Sequence, residues 1–201
     1  YEPEFDQMLF YLPLTGSTFK KVYYDELLGR AVSKFIQAED LIVPYTASSL
    51  EDADAIVHVI KISENDLRKQ QVGGFYRDIE LGDPPINENQ VKAKQLELEG
   101  VTANDQQRES MYTLLEVHTD LDLEDYPDVN ENEEPTGIKL PYIITIDETS
   151  QQVLSIRRNY EPEDPLKKKK NYFVQFKFLP GTGFYGFGLI HMIGGLTRTA
   201  T

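Results

Sequence analysis

The stretch Asn171-Tyr172-Phe173-Val174-Gln175-Phe176-Lys177-Phe178-Leu179 decides the fold class. Its alternate positions form two sets, Tyr172, Val174, Phe176 and Phe178 in one and Phe173, Gln175, Lys177 and Leu179 in the other. Aromatic and β-branched residues with a period of two are typical of a β-strand. Because both sets are largely apolar, we expect a strand that is covered on both faces, in the centre of its sheet.

The same alternation predicts further strands upstream of this stretch. They cover residues 18–24, 31–36, 41–43, 56–62, 111–117, 142–146 and 153–156. Short polar loops at 25–30 and 147–152 join two pairs of them, which predicts two antiparallel hairpins. The chain therefore has the pattern of a protein dominated by antiparallel strands.

Helices are predicted at four places. Ser63, with Asp66 three residues later, is a capping box that starts a helix over 64–72, and Gly73-Gly74 ends it. Ser49 with Asp52 predicts a second, brief helix by the same pattern. Residues 88–99 and 188–201 are the other two. The sequence thus predicts an α+β fold of mainly antiparallel strands and a few short helices, ending in the start of a longer helix.

Charge and composition limit the function classes. The chain has 20 Lys and Arg against 34 Asp and Glu, a net charge of −14, so its surface repels nucleic acid overall. The absence of Cys excludes disulfides, thiolate zinc sites and Cys nucleophiles. No apolar run in the sequence has the length of a membrane span. The acidic stretch 119–137, with Pro127 and Pro135, predicts a mobile surface loop.

The segment Gly181-Thr182-Gly183-Phe184-Tyr185-Gly186 matches the GxGxxG pattern and lies between a strand and a helix. A nucleotide-binding enzyme fragment that uses residues 181–188 is therefore one hypothesis. Pro180 at the strand exit and the bulky Phe184 and Tyr185 favour another interpretation, a tight strand-to-helix corner with aromatic anchors. We prefer the corner.

Other candidate sites for chemistry are weak. His58, His118 and His191 are far apart in sequence, and none forms an HxxxH or HExxH pair. Asp120, Asp122 and Glu124 alternate as in a calcium loop, but Asp125 stands where such a loop needs Gly. No Ser/His/Asp set has informative spacing. We therefore expect no enzyme activity, no catalytic residues, no metal and no cofactor.

Two stretches are candidate contact sites. The basic tract Lys167-Lys168-Lys169-Lys170 is interpreted as a solvated hairpin tip, with contact to a phosphate or an acidic partner as the alternative. Near the end of the chain, Leu189, Ile193, Leu196 and Ala200 recur at helical spacing. Gly194 and Gly195 interrupt this stripe and indicate close backbone packing or a kink. We predict an oligomer interface at Leu189, Ile193 and Leu196; packing on residues 172–179 within the same domain is the alternative.

Blocks of sequence spread over almost the whole chain carry a resemblance to a known family. They are Phe19-Lys20-Lys21-Val22-Tyr23-Tyr24-Asp25, Ala38-Glu39-Asp40-Leu41-Ile42-Val43-Pro44-Tyr45, His58-Val59-Ile60-Lys61, Asn65-Asp66-Leu67-Arg68-Lys69, Gly74-Phe75-Tyr76-Arg77-Asp78, Ser155-Ile156-Arg157-Arg158-Asn159-Tyr160 and Phe178-Leu179-Pro180-Gly181-Thr182-Gly183-Phe184-Tyr185-Gly186-Phe187-Gly188-Leu189-Ile190-His191. In this order they resemble successive blocks of portal proteins from short-tailed bacteriophages.

The resemblance implies a dodecameric ring at one capsid vertex, the head-to-tail connector of the virion. Such rings dock the terminase motor, pass double-stranded DNA during packaging and ejection without sequence-specific binding, and bind coat protein, scaffolding protein and tail adaptors. They are found in host cytoplasm during assembly, contact no membrane and have no catalytic residues. Residues 1–187 would be the β-rich, wing-like region, and 188–201 the start of a helix that leads into the ring core.

Because family members are longer and this chain starts at Tyr1, we interpret it as a piece of a larger protein. A domain of another capsid or tail adaptor is the alternative within the same class of structural proteins.

Overall fold

The structure is a computed structural model, which describes residues 2–25, 29–82, 111–124, 126–129 and 134–200. The predicted helix at 88–99 lies outside these residues. The elements in chain order are α1 (Glu2–Thr15), β1 (Ser17–Asp25), β2 (Arg30–Ile36), a 3-10 turn (Ala38–Asp40), β3 (Leu41–Ile42), β4 (Ala55–Ser63), α2 (Glu64–Val72), β5 (Met111–Leu121), β6 (Leu140–Asp147), β7 (Val153–Arg158), β8 (Phe173–Lys177) and α3 (Leu189–Ala200).

The strands form two antiparallel sheets, of three strands in the order β2-β1-β8 and of five in the order β3-β4-β5-β6-β7. This confirms the predicted α+β class and both predicted hairpins, β1–β2 and β6–β7. In the first sheet β1 is central: Lys21 lies opposite Lys34 of β2 on one side and Phe173 of β8 on the other. The register therefore places β8, which is distant in sequence, beside the hairpin β1–β2.

The predicted central position of the strand at 171–179 is wrong. β8 lies at one side of the three-stranded sheet, with β1 as its strand neighbour. Its apolar residues point to two different environments, because Phe173 is buried in the core whereas Val174 and Phe178 are exposed. An isolated bridge between Leu179 and Phe187 lies just beyond its end. The second apolar face, with Val174 in β8 and Phe178 just after it, is therefore exposed and is not covered by another layer of the described structure.

The helices agree with the sequence in part. In α2, the Ser63 side chain accepts a hydrogen bond from the Asp66 amide, as its capping box predicted. Ser49 and Asp52 form the same type of bonds, but residues 48–52 are a bend, and the predicted helix there is wrong. β4 begins at Ala55, which leaves too few residues for a helix to continue.

α1 was not predicted, and its sequence contains Pro3 and Pro13. Pro3 lies in the first turn, where a helix has no acceptor for the missing amide. Near the other end of the chain, α3 confirms the helix predicted at 188–201. The strand β5 continues to Leu121, so the first residues of the predicted acidic loop belong to a strand.

The chain divides into two compact units. Unit 1 contains residues 1–58, 118–142 and 158–201, and unit 2 contains residues 59–117 and 143–157. The core of unit 1 is built on Phe19, Ile36, Leu41, Phe173 and Phe184. The core of unit 2 is built on Ile62, Leu67, Tyr76, Tyr112, Leu114 and Leu154. Within the described part of the chain, no helix is both long and apolar enough to cross a membrane.

Candidate assembly surface

The glycine-rich segment 181–188 folds as a corner against the end of α1. The Gly186 amide donates to Ser17 Oγ at 2.7 Å, and the Phe178 amide donates to Gly16 O at 3.0 Å. A Cβ atom added to Gly186 would lie 2.6 Å from Gly16 O, so a side chain there is excluded by backbone. Gly186 is thus required for close approach between two segments of unit 1.

Aromatic side chains anchor this corner. Phe184 is buried, and its ring stacks on Phe19 with centroids 5.9 Å apart. The Phe184 carbonyl accepts a hydrogen bond from Gln175 Nε2 at 2.7 Å. The space beside Gly186 and Gly188, where a dinucleotide phosphate would approach, is filled by the backbone of residues 14–16. This geometry favours the structural corner over the phosphate loop.

The corner brings α1 and α3 into contact. Together these helices present large apolar side chains to solvent, which we call the terminal-helix surface. Its members are Phe5, Leu9, Phe10 and Leu14 of α1 and Leu189, Ile190, Met192 and Ile193 of α3. Each is between 36% and 68% exposed. Two of the three predicted interface residues, Leu189 and Ile193, belong to it; the side chain of Leu196 lies outside the described residues.

All members of the terminal-helix surface except Phe5, which lies between Glu4 and Asp6, are in segments without carboxylates or strong bases. Residues 7–19 and 178–197 contain no Asp, Glu, Lys or Arg, although such residues make up 27% of the chain. A half-exposed large side chain leaves about 90 Å² in water, so the eight side chains expose on the order of 700 Å². The eight side chains together thus expose more apolar area than the largest single patch that is usual on a monomer, about 300–600 Å².

The two glycines of α3 have no packing role among the described residues. A Cβ atom at Gly194 or Gly195 would meet no atom within 4 Å. Each glycine lowers helix stability by about 1 kcal/mol relative to Ala. The close packing predicted for them is therefore not made inside unit 1 as described.

The basic tract is mostly engaged within unit 1. Lys167 forms an ion pair with the buried Asp128, Lys169 Nζ donates to Ala53 O at 3.0 Å, and Lys170 pairs with Glu161 at 2.5 Å. The hydrogen bond from Lys167, with a second from Thr136, holds the pKa of Asp128 below its usual value. Lys168 is exposed. The tract thus ties loops together, which weakens the hypothesis of a phosphate site there.

The histidines lie in two places. His58 and His118 both pack on Phe173, with ring centroids 5.9 and 4.9 Å away; His118 is buried and His58 is half-buried. His191 accepts a hydrogen bond from the Gly188 amide at 3.2 Å, at the start of α3. Among the residues that the structure describes, no three His, Asp or Glu side chains are grouped as metal ligands.

Each unit contains a cavity. The one in unit 1 has a volume of about 20 Å³ and is lined by His118, Asn159, Lys169 and Phe173, among others. This volume suits one water molecule, not a nucleotide. The one in unit 2 has about 540 Å³ and lies between α2, residues 78–81 and Tyr112. Neither includes the glycine-rich segment.

Sequence reasoning missed the α1 half of the terminal-helix surface. The available signal was the charge-free run from Gln7 to Phe19, which is unusual in so acidic a chain. Compared with models of known protein families and with curated protein sequences, the chain gives no match to either.

Proposed function

We propose that this chain is the wing-like part of a phage portal ring, the connector through which double-stranded DNA is packaged and ejected. It would act in the virion at the capsid vertex, as a homo-oligomer that meets coat, scaffolding, terminase and tail proteins. The terminal-helix surface is the observation that carries the proposal. A subunit of a permanent assembly needs a large apolar surface to bury against its neighbours.

The surface has the properties of such an interface. Its area, on the order of 700 Å², is close to the 800 Å² that each partner buries in a standard interface. It lacks charged side chains in the segments 7–19 and 178–197, as the centres of obligate interfaces do. The open positions beside Gly194 and Gly195 would let another backbone approach α3 closely.

Electron microscopy of the full-length protein tests this proposal. Replacing Phe10 and Ile193 by Asp places two charges in the surface, and we expect ring assembly to be lost. Leu166→Asp is the matched control, because Leu166 is 72% exposed and lies outside the surface. Normal rings from the Phe10/Ile193 double variant would refute the proposal.

The nucleotide-binding alternative has its own test. ATP, GTP or NAD at millimolar concentration should leave the melting temperature unchanged, because a bound ligand must raise apparent stability. A rise that Gly183→Val abolishes would support the alternative, since Gly183 has open space beside it and tolerates a side chain.

A further inference from the structure

Charge is distributed very unevenly in unit 1. Residues 17–36, which form the β1–β2 hairpin, contain four Lys or Arg and two Asp or Glu, a net charge of +2. Residues 120–134 contain eight Asp or Glu and no Lys or Arg, a net charge of −8. More than half of the net charge of the chain therefore lies in these fifteen residues.

The positive charge of the hairpin is concentrated on one face. Lys21 lies directly opposite Lys34, and Asp25 lies opposite Arg30, so these pairs share a face with Tyr23. Two like charges in opposite positions of adjacent strands destabilise the pair. The Lys21 ammonium is 5.6 Å from the Tyr23 ring centroid and 6.0 Å from that of Phe173, positions that hold it on this face. Arg30 and Lys34 are exposed.

The first three carboxylates of residues 120–134 also follow a regular pattern. Asp120, Asp122 and Glu124 alternate with Leu121 and Leu123, which pack against Leu140, Tyr142 and Tyr160. The three carboxylates are exposed, with Asp120 near the end of β5 and Asp122 and Glu124 in the residues that follow it. Within the described ranges, none of the three has an ion-pair partner, and the same is true of Arg30 and Lys34.

We propose that the basic face of the β1–β2 hairpin, with Lys21, Arg30 and Lys34, binds Asp120, Asp122 and Glu124 of a second copy of this chain. The inference deepens the proposed function, on which it rests, by naming a second, polar contact between neighbouring subunits. A contact between two different surfaces is heterologous, and it is the type that closes rings.

Charge favours a second copy over nucleic acid. Three cations neutralise at most about three phosphates, which releases few counterions and gives weak binding at physiological salt. The acidic segment of unit 1 would repel a duplex as well. A second copy instead offers three exposed carboxylates two residues apart in sequence.

Charge-swap variants test the contact by sedimentation velocity in 50 and 500 mM NaCl. We expect association of the unmodified chain to weaken at the higher salt. Lys21→Glu/Lys34→Glu should weaken it by about tenfold at low salt, and so should Asp120→Lys/Asp122→Lys/Glu124→Lys. An equimolar mixture of the two variants should associate again, because each then offers a complementary surface to the other.

The matched control is Lys139→Glu/Lys168→Glu, which changes the net charge of the chain as the hairpin variant does, at two exposed lysines elsewhere. It should associate like the unmodified chain. If a hairpin variant with Glu misfolds by circular dichroism, Lys21→Gln/Lys34→Gln replaces it; removal of the like-charge pair should preserve or raise its melting temperature.

Failure of the mixture to associate would overturn the inference, as would loss of association in the control. Binding of a labelled DNA duplex in 150 mM NaCl that the hairpin variant abolishes would assign the face to nucleic acid instead. Rings that survive Lys21→Glu/Lys34→Glu but not Phe10→Asp/Ile193→Asp would refute this inference alone and leave the proposed function standing.

Discussion

The core of unit 2 and the terminal-helix surface of unit 1 are made of the same kinds of residues in opposite situations. Leu114 and Leu154 are fully buried, whereas Phe10 and Ile193 are more than half exposed. α2 buries its apolar Leu67 and has a cap formed by its own sequence, whereas α3 has four large apolar residues in solvent. Apolar composition thus has two uses, folding in one region and assembly in the other, and exposure distinguishes them.

The largest expected effect is in the core of unit 2. Leu154→Ala should lower the free energy of unfolding by about 2–5 kcal/mol, because it removes a fully buried side chain and leaves a cavity. Ile193→Ala should change it by less than about 0.5 kcal/mol, because Ile193 is half exposed. Urea denaturation of the two variants measures both. Equal losses would contradict the distinction between a folding region and an assembly region.

Alkaline pH should affect the core of unit 2 through Tyr76. Burial is the main cause that raises the pKa of Tyr76 to about 12, with the nearby Glu116 second. Between the unfolded value near 10 and this value, the unfolded chain loses its proton first, so stability falls as pH rises. The loss by pH 12 is about 2–3 kcal/mol.

Denaturation across this pH range, compared with Tyr76→Phe, measures the effect. The variant has no hydroxyl to titrate, so its stability should decline less steeply. On the exposed side of the comparison, burial also raises the pKa of Tyr185, so Tyr185→Phe should change the slope in the same direction, but by less because Tyr185 is nearly half exposed. Parallel curves for the unmodified chain and Tyr76→Phe would be inconsistent with this prediction.

A smaller effect is expected at the start of α2. Ser63→Ala removes the side chain that accepts from the Asp66 amide and should lower stability by about 1 kcal/mol. Ser63→Asp keeps an acceptor at this position and should restore most of the loss. Thermal melting of both variants checks the contribution of the cap; identical melting of the Ala and Asp variants would exclude it.

The smallest effect on folding, and the one that sharpens the comparison most, is expected at Gly194. Gly194→Ala should stabilise α3 by at most about 1 kcal/mol, because the site has space for a Cβ atom. The same change should weaken ring assembly if another backbone packs there. A Gly194→Ala chain that is more stable and still assembles normally would show that Gly194 is needed neither for folding nor for assembly.

Sequence predicted those parts of the fold that depend on local pattern. α2 follows from Ser63 and Asp66, and the hairpin β6–β7 follows from alternation around a polar turn, because both depend on residues close in sequence. The same pattern at Ser49 and Asp52 gave no helix, since the following strand begins too soon. A capping pattern therefore predicted the local hydrogen bonds at both places, but not whether a helix follows them.

Only the α3 part of the terminal-helix surface was predicted, again because sequence patterns are local. The stripe through Leu189 and Ile193 is a local pattern, and α3 confirms the helix. The partnership with α1 depends on Gly16 meeting Gly186, about 170 residues away in sequence, and no periodicity in either segment indicates that contact. The apolar character of residues 171–179 predicted a strand correctly but gave no information on which neighbours it has.

The order of strands in the three-stranded sheet has a consequence for synthesis. Ser17 of β1 pairs with Lys177 of β8, about 160 residues later in the chain. On a ribosome that adds about 5–20 residues per second, β1 waits on the order of ten seconds for this partner. During that time β2 can cover one side of β1, while the other side remains an unpaired strand edge of the kind that recruits foreign strands. β1 thus gains its second neighbour only after about 160 further residues have been added, and pairing over so long a loop is slow.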